Sequence, residues 1–242
     1  LVTNINTSIS NVMFPVLAQS QSDSERLKRL CRRAVRIGIY LLSPLLVGLI
    51  GVADTFVVAV LTEKWAPCIP YLRILALVFL VRPFMTTCQQ SILSVGRSDV
   101  TLKLEIVINV VAIGILFYAV FVLESVISVA LGTLITEIVG MAMTMYYENK
   151  IIGYTCREQL EDLLPSLTLS MIMGALVYFL HFLSLNPLLT LGLQVAVGAA
   201  FYLAVSIAIQ FEPFVYLVQM LQEKFRSARM NRILSKCIRS KR

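Results

Sequence analysis

The sequence predicts an all-α fold: a polytopic transmembrane bundle of about seven spans. Three observations predict it. Of the 242 residues, 58% are hydrophobic and only 14% are charged, against about 25% charged in ordinary globular chains. Apolar runs of roughly 20 residues, the length that crosses a bilayer, recur along most of the chain. The lysines and arginines fall almost wholly in connections that alternating spans place on one side.

The runs lie at about 1–18, 37–61, 71–94, 101–122, 126–147, 165–183 and 188–210. The first begins at Leu1 with no basic segment before it. It therefore reads as the end of a truncated span rather than a cleavable signal peptide. The connections around Glu124 and Asn186–Pro187 are short, which predicts tight helical hairpins. Six basic residues between Arg26 and Arg36, the pairs Arg97/Lys103 and Lys150/Arg157, and eight from Lys224 to Arg242 share one side. The other side carries Lys64 alone. Positive residues mark the cytoplasmic face, so the C-terminus is expected in the cytoplasm. The organisation is then a helix bundle over 1–210 and a basic amphipathic tail over 211–242.

Two cytoplasmic segments have helical patterning. Ser22-Asp23-Ser24-Glu25 has the form of a capping box. Leu27, Leu30 and Ala34 beyond it are expected to rest on lipid while the arginines reach headgroups. Leu217, Leu221, Phe225 and Ala228 repeat that pattern in the tail, as in a helix lying in the interface. Cys31, Cys68, Cys88, Cys156 and Cys237 are far apart and form no CxxC or Cys/His motif. They read as scattered small hydrophobes, with no metal or disulfide framework.

Ionisable groups at membrane depth cost about 2.5–3.5 kcal/mol each and face a bundle interior or a wet cavity. The candidates are Asp54, Arg73, Arg82, Glu105, Glu137 and His181. Arg73 and Arg82, nine residues apart, point in opposite directions on a straight helix. Arg73 is near the outer boundary, where it snorkels or forms a structural ion pair with Asp54. Arg82 is mid-span, and Thr86 and Gln89 extend its face into a polar stripe. That stripe reads as a cavity wall, and a buried pair between Arg82 and Glu137 is compatible with it. Glu105 and Asn109 form a second stripe on the next span. Glu137 shares a face with Thr133, and Gly132, Thr136 and Gly140 supply small-residue spacing for close packing. Glu137 is thus either interhelical glue or part of a relay. His181 has no evident partner and reads as a satisfied or headgroup-facing histidine. Asn6-Thr7-Ser8 fits an acceptor sequon but lies within an apolar run. Pro15, Pro44, Pro83 and Pro165 punctuate spans or their ends, which spanning helices tolerate.

Three stretches, in order, resemble a known group: VMFPVLAQSQSDSERLKRLCRRAVRI (Val12–Ile37), TEKWAPCIPYLRILAL (Thr62–Leu77), and RPF (Arg82–Phe84) followed by SVGRSDVTLKLEI (Ser94–Ile106). They are similar to bacterial polysaccharide/oligosaccharide flippases of the multidrug/oligosaccharidyl-lipid/polysaccharide exporter superfamily, over roughly residues 10–110. The resemblance implies one half of a two-bundle, V-shaped transporter with alternating access. It implies translocation of a lipid-linked oligosaccharide across the bacterial plasma membrane for surface polysaccharide synthesis (lipopolysaccharide O-antigen, capsule or exopolysaccharide). The partners implied are the polyprenyl-diphosphate-linked oligosaccharide, membrane lipids and an N-terminal helix bundle missing from this sequence, with no nucleic acid and no cofactor. Arg82, Thr86, Gln89, Glu105, Asn109 and Glu137 are its expected substrate-cavity residues. Outward loops are short and carry no catalytic set, so an enzyme is not expected. A drug/cation exporter of the same superfamily and a nonfunctional flippase fragment are the alternatives.

Overall fold

The computed structural model describes Leu17, residues 23–183 and residues 186–219. Every element among them is helical. The helices are α1 (Ser24–Phe56), α2 (Ile69–Ser94), α3 (Ser98–Phe121), α4 (Val126–Ile152), α5 (Cys156–Phe179) and α6 (Pro187–Ala208). A π turn, Val57–Leu61, extends α1, and 3-10 turns cover Glu63–Cys68 and Leu180–Leu183. Six helical segments are long and apolar enough to span a membrane, and they coincide with the six runs expected between 37 and 210. The run at 1–18, with its sequon and Pro15, lies outside the described residues except for Leu17. That residue is helical and packs against Leu27 and Ile152.

The ends of these helices follow local chemistry. At α1 the cap is Asp23, not Ser22: its side chain accepts the Arg26 N–H at 3.0 Å, satisfying a donor that the first turn leaves unpaired. Thr155 and Glu158 form a reciprocal capping box that starts α5. Gly153 closes α4 in the left-handed region, φ 75°, and returns its N–H to Asn149. Pro44, Pro83 and Pro165 lie inside α1, α2 and α5, and these helices continue through them. Beside Pro83, the Thr87 hydroxyl donates to the proline carbonyl at 2.8 Å.

The chain divides into two compact units, Leu1–Tyr202 and Leu203–Arg242. In the first, α1 packs between α5 and α2, α2 packs on α4, and α4 packs on α3. The α1–α5 seam is close: a Cβ on Gly51 would stand 2.9 Å from the Gly174 carbonyl oxygen, and one on Gly174 would stand 2.7 Å from Val47. Without water to drive helices together, such small-residue contacts supply the packing energy. The α6 helix joins through Gln194, which donates to the Val177 carbonyl at 3.0 Å, and Tyr202, whose hydroxyl donates to the Tyr40 carbonyl at 2.9 Å. In the second unit the end of α6 turns at Gln210, φ 51°, and a further helix, α7, covers 212–219. Leu217 lies in it; the rest of the expected basic tail lies outside the described residues.

One expectation is overturned. The segment around residues 24–36 does not float on lipid. It is the first three turns of α1, continuous with the span. Leu27 and Ala34 are 2% and 5% exposed, inside the bundle. Three of its basic residues, Lys28, Arg32 and Arg36, reach carboxylates of α5. Arg32 and Arg36 both contact Asp162 at 2.7 Å, and Lys28 and Arg32 contact Glu158 at 2.9 and 3.1 Å. The buried Tyr154 hydroxyl also donates to Asp162, at 2.7 Å. Burial and that carboxylate push the tyrosine pKa well up, so it remains a donor. Asp162 thus accepts from three donor residues with a side chain 1% exposed, whereas Glu158 keeps 25% exposure.

Removing one partner of a buried ionic set leaves the others uncompensated and costs about 3–5 kcal/mol. Asp162→Ala is therefore expected to lower the thermal unfolding midpoint in detergent sharply. Glu158→Ala, at a more solvated position, removes two ion pairs and half of a capping box and is expected to cost less, about 1–2 kcal/mol.

Candidate functional site

Although α2 and α3 are consecutive, they touch only sparsely, while both pack on α4. A cleft of about 570 Å³ opens between them, lined by residues of α2, α3 and α4. Small residues hold its α4 wall close to its neighbours. A Cβ on Gly132 would come within 2.6 Å of Ile115, and one on Gly140 within 2.8 Å of Met85. Between these glycines Thr136 turns its hydroxyl back to the Gly132 carbonyl at 2.9 Å.

The cleft gathers Arg82, Thr86 and Gln89 of α2, Glu105 and Asn109 of α3, and Glu137 of α4. The first three lie at i, i+4 and i+7, which aligns them on one helix face. Arg82 Nη2 donates to Glu137 Oε1 in a direct ion pair. The two ends of that pair differ: the Arg82 side chain is 51% exposed and Glu137 only 13%. Gln89 donates to Glu105 Oε1 at 3.0 Å, a second bridge between α2 and its partner across the cleft. The Thr86 hydroxyl is occupied by the Arg82 carbonyl at 2.8 Å, and the Asn109 amide by the Glu105 carbonyl at 2.8 Å. Apolar side chains, among them Phe79, Ile108, Ile113 and Leu116, complete the lining. The result is amphipathic: one guanidinium and two carboxylates on hydrocarbon walls.

The other three candidates, Asp54, Arg73 and His181, lie elsewhere. Arg73 Nη2 meets Asp54 at 2.6 Å and its Nε donates to the Ile50 carbonyl at 3.4 Å. The two arginines of α2 therefore have different partners, as their half-turn offset requires. His181 is not partnerless: its Nδ1 lies 3.1 Å from the Thr55 hydroxyl. That contact joins positions 126 residues apart, and periodicity within a helix carries no signal for it.

Sequence reasoning missed a cluster beside the cleft. Glu148 of α4 is fully buried and accepts from the Ser91 hydroxyl at 2.6 Å and the Cys31 thiol at 3.3 Å. Cys88 completes the group, whose ligating atoms lie within 4.8 Å of one another. Two of the cysteines taken as scattered therefore meet. Glu148 sits next to Asn149 and Lys150, so it reads as the polar end of a span. The i, i+3 relation of Cys88 and Ser91 was the one usable signal.

A family model for polysaccharide biosynthesis proteins matches residues 1–70. The teichuronic acid biosynthesis protein TuaB of Bacillus subtilis (strain 168) is 25% identical over 207 residues, 84% of this chain and 42% of that protein. The lipopolysaccharide biosynthesis protein WzxC of Escherichia coli (strain K12) is 27% identical over 181 residues, 70% of this chain and 36% of that protein. Among solved structures, the lipid II flippase MurJ in an inward closed conformation superposes with a TM-score of 0.69 at 19% identity, over 85% of this chain and 43% of that chain. The chain spans less than half the length of these relatives. The chain is thus similar to proteins of polysaccharide biosynthesis, in line with the resemblance read over Val12–Ile106, and its bundle has the fold of part of the MurJ structure.

A wet cleft is distinguishable from a lipid-facing one by chemistry. With Cys68, Cys156 and Cys237 replaced by serine, Thr86→Cys is expected to react with a charged, water-soluble methanethiosulfonate in membranes. Thr87→Cys, at a neighbouring position only 3% exposed, is expected to stay unreacted.

Proposed function

We propose that this bundle forms one wall of a transporter that moves a lipid-linked oligosaccharide from the inner to the outer leaflet of the bacterial plasma membrane, for surface polysaccharide assembly. The observation that carries the proposal is Arg82: a guanidinium at mid-span, half exposed, in a cleft otherwise walled by hydrocarbon and hydrogen-bonding groups. A polyprenyl diphosphate carries an anionic, bulky headgroup, and a guanidinium binds phosphate bidentately. The family-model match and the names of TuaB and WzxC support a place in polysaccharide biosynthesis.

Glu137 acts as an internal stand-in for the phosphate. It engages one edge of Arg82 through Nη2, and the guanidinium keeps further N–H donors for an incoming anion. Exchange of carboxylate for phosphate keeps the charge paired at every stage, so the arginine is never bare at low dielectric. Thr86, Gln89 and Asn109 exchange their internal bonds for sugar hydroxyls or phosphate oxygens. The apolar walls accept the isoprenoid stem. A second helix bundle faces the cleft, and rocking of the two exposes it to each leaflet in turn. The process breaks no covalent bond and calls for no cofactor. With basic residues inside, the C-terminus is cytoplasmic.

The two carboxylates, Glu105 and Glu137, against one guanidinium favour a second reading, an exporter of lipophilic cations. One experiment separates them. In cells that carry the protein, with its abundance controlled, Arg82→Ala is expected to cut surface polysaccharide about ten- to a hundredfold. That is the loss of a charged hydrogen bond of about 1.5–3 kcal/mol. Arg73→Ala is expected to act on protein abundance and leave export per molecule near normal. Unchanged polysaccharide with Arg82→Ala, combined with loss of cation resistance in Glu137→Gln, supports the cation reading instead.

A further inference from the structure

We propose that Cys31, Cys88 and Glu148 form a binding site for a zinc ion that ties α1, α2 and α4 together next to the transport cleft. The donor set is two thiols and one carboxylate from three helices, with their ligating atoms within 4.8 Å of one another. Thiolate and carboxylate are ordinary zinc ligands, and these three residues complete four-coordination when Glu148 binds through both oxygens, its Oε2 being without another partner. Their number and type favour zinc over the hard cations, which take oxygen alone, and over monovalent copper, which prefers sulfur. The Ser91 hydroxyl, 2.6 Å from Glu148 Oε1, is positioned to orient the carboxylate from outside the ligand shell.

A second observation points to a missing charge. Glu148 is fully buried, and its Oε2 has no hydrogen-bond partner. Both protonation states are unsatisfactory without a cation. The ionised form is a buried negative charge whose only neighbours are the Ser91 hydroxyl and the thiols, and the neutral form still leaves Oε2 without a donor. Ser91 does not resolve this. Its single proton serves either Glu148 Oε1 or the Cys88 carbonyl at 2.7 Å. A dication at the cluster gives the carboxylate a partner. The surroundings are dry: Val35, Ile39, Phe84, Met85 and Leu163 pack around the two cysteines, the kind of shell that shields a structural metal from solvent exchange. Two thiolates and a carboxylate leave the loaded site with one net negative charge, less than a four-cysteine zinc site carries. Loading releases a proton from each thiol, so affinity is expected to rise with pH.

The test uses the full chain purified from zinc-supplemented cells, in a background with Cys68, Cys156 and Cys237 changed to serine. Elemental analysis is expected to find one zinc per chain. After chelation and reduction, cobalt(II) is expected to bind with thiolate-to-metal charge-transfer absorption and the intense d–d bands of a tetrahedral site, both abolished by added zinc. Cys31→Ala and Cys88→Ala each cut the charge-transfer bands by about half or more and their combination removes them, while Glu148→Gln keeps them and weakens affinity at least tenfold. The wild-type titration stands even if those variants fold poorly. Three results overturn the proposal: no stoichiometric metal in the reduced wild type, cobalt bands that survive loss of both cysteines, or a Cys31–Cys88 disulfide as the sole chemistry of the pair.

Discussion

A charge at membrane depth has to be paired or wet, and the architecture of this bundle follows from how that constraint is met. Born-type costs are too large for a bare guanidinium, and an ion pair repays them only with good geometry and further hydrogen bonds. Near the expected outer boundary, Arg73 has Asp54 and a backbone carbonyl. At the opposite end, Arg32 and Arg36 share Asp162 with a tyrosine hydroxyl. Both sets fix helices relative to each other, with arginine side chains 26%, 28% and 35% exposed. Arg82 is the exception. Its partner Glu137 is mostly buried while the Arg82 side chain stays half exposed.

The Asp162 set also pairs partly exposed arginines with a carboxylate at 1%; what sets Arg82 apart is its 51% exposure in a cleft. An arginine with more of its side chain exposed in a cleft keeps N–H donors available beyond its one ion pair. The sparse contact between α2 and α3 creates the opening, and α4 holds both walls through glycines at the contacts. The same helix carries Glu137 at the cleft and Glu148 at the buried cysteine cluster, three turns apart. α4 therefore carries a residue of each.

Much of this was legible in the sequence, because the bilayer imposes length and polarity rules on each helix separately. Apolar runs gave the six described spans, and the spacing of Arg82, Thr86 and Gln89 gave the polar face of α2. The cleft set emerged from the same rule applied to α3 and α4. What escaped depends on contacts between distant segments. The basic start of α1 looked like an interfacial helix because its counter-charges, Glu158 and Asp162, are about 130 residues away in sequence. Cys31 and Cys88 carried no motif, since three helices, not a short spacing, bring them to Glu148. His181 met Thr55 for the same reason. The cap at Asp23 was displaced by one residue from Ser22, because either side chain suits that position and only backbone geometry selects one.

The most direct measurement of the central claim is binding of a short-chain polyprenyl diphosphate to the purified protein, by native mass spectrometry or calorimetry. Binding that weakens at least tenfold in Arg82→Gln and tightens in Glu137→Gln, where the competing carboxylate is gone, is the result this account requires. Equal affinity in all three proteins would contradict it and leave the Arg82–Glu137 pair a structural contact.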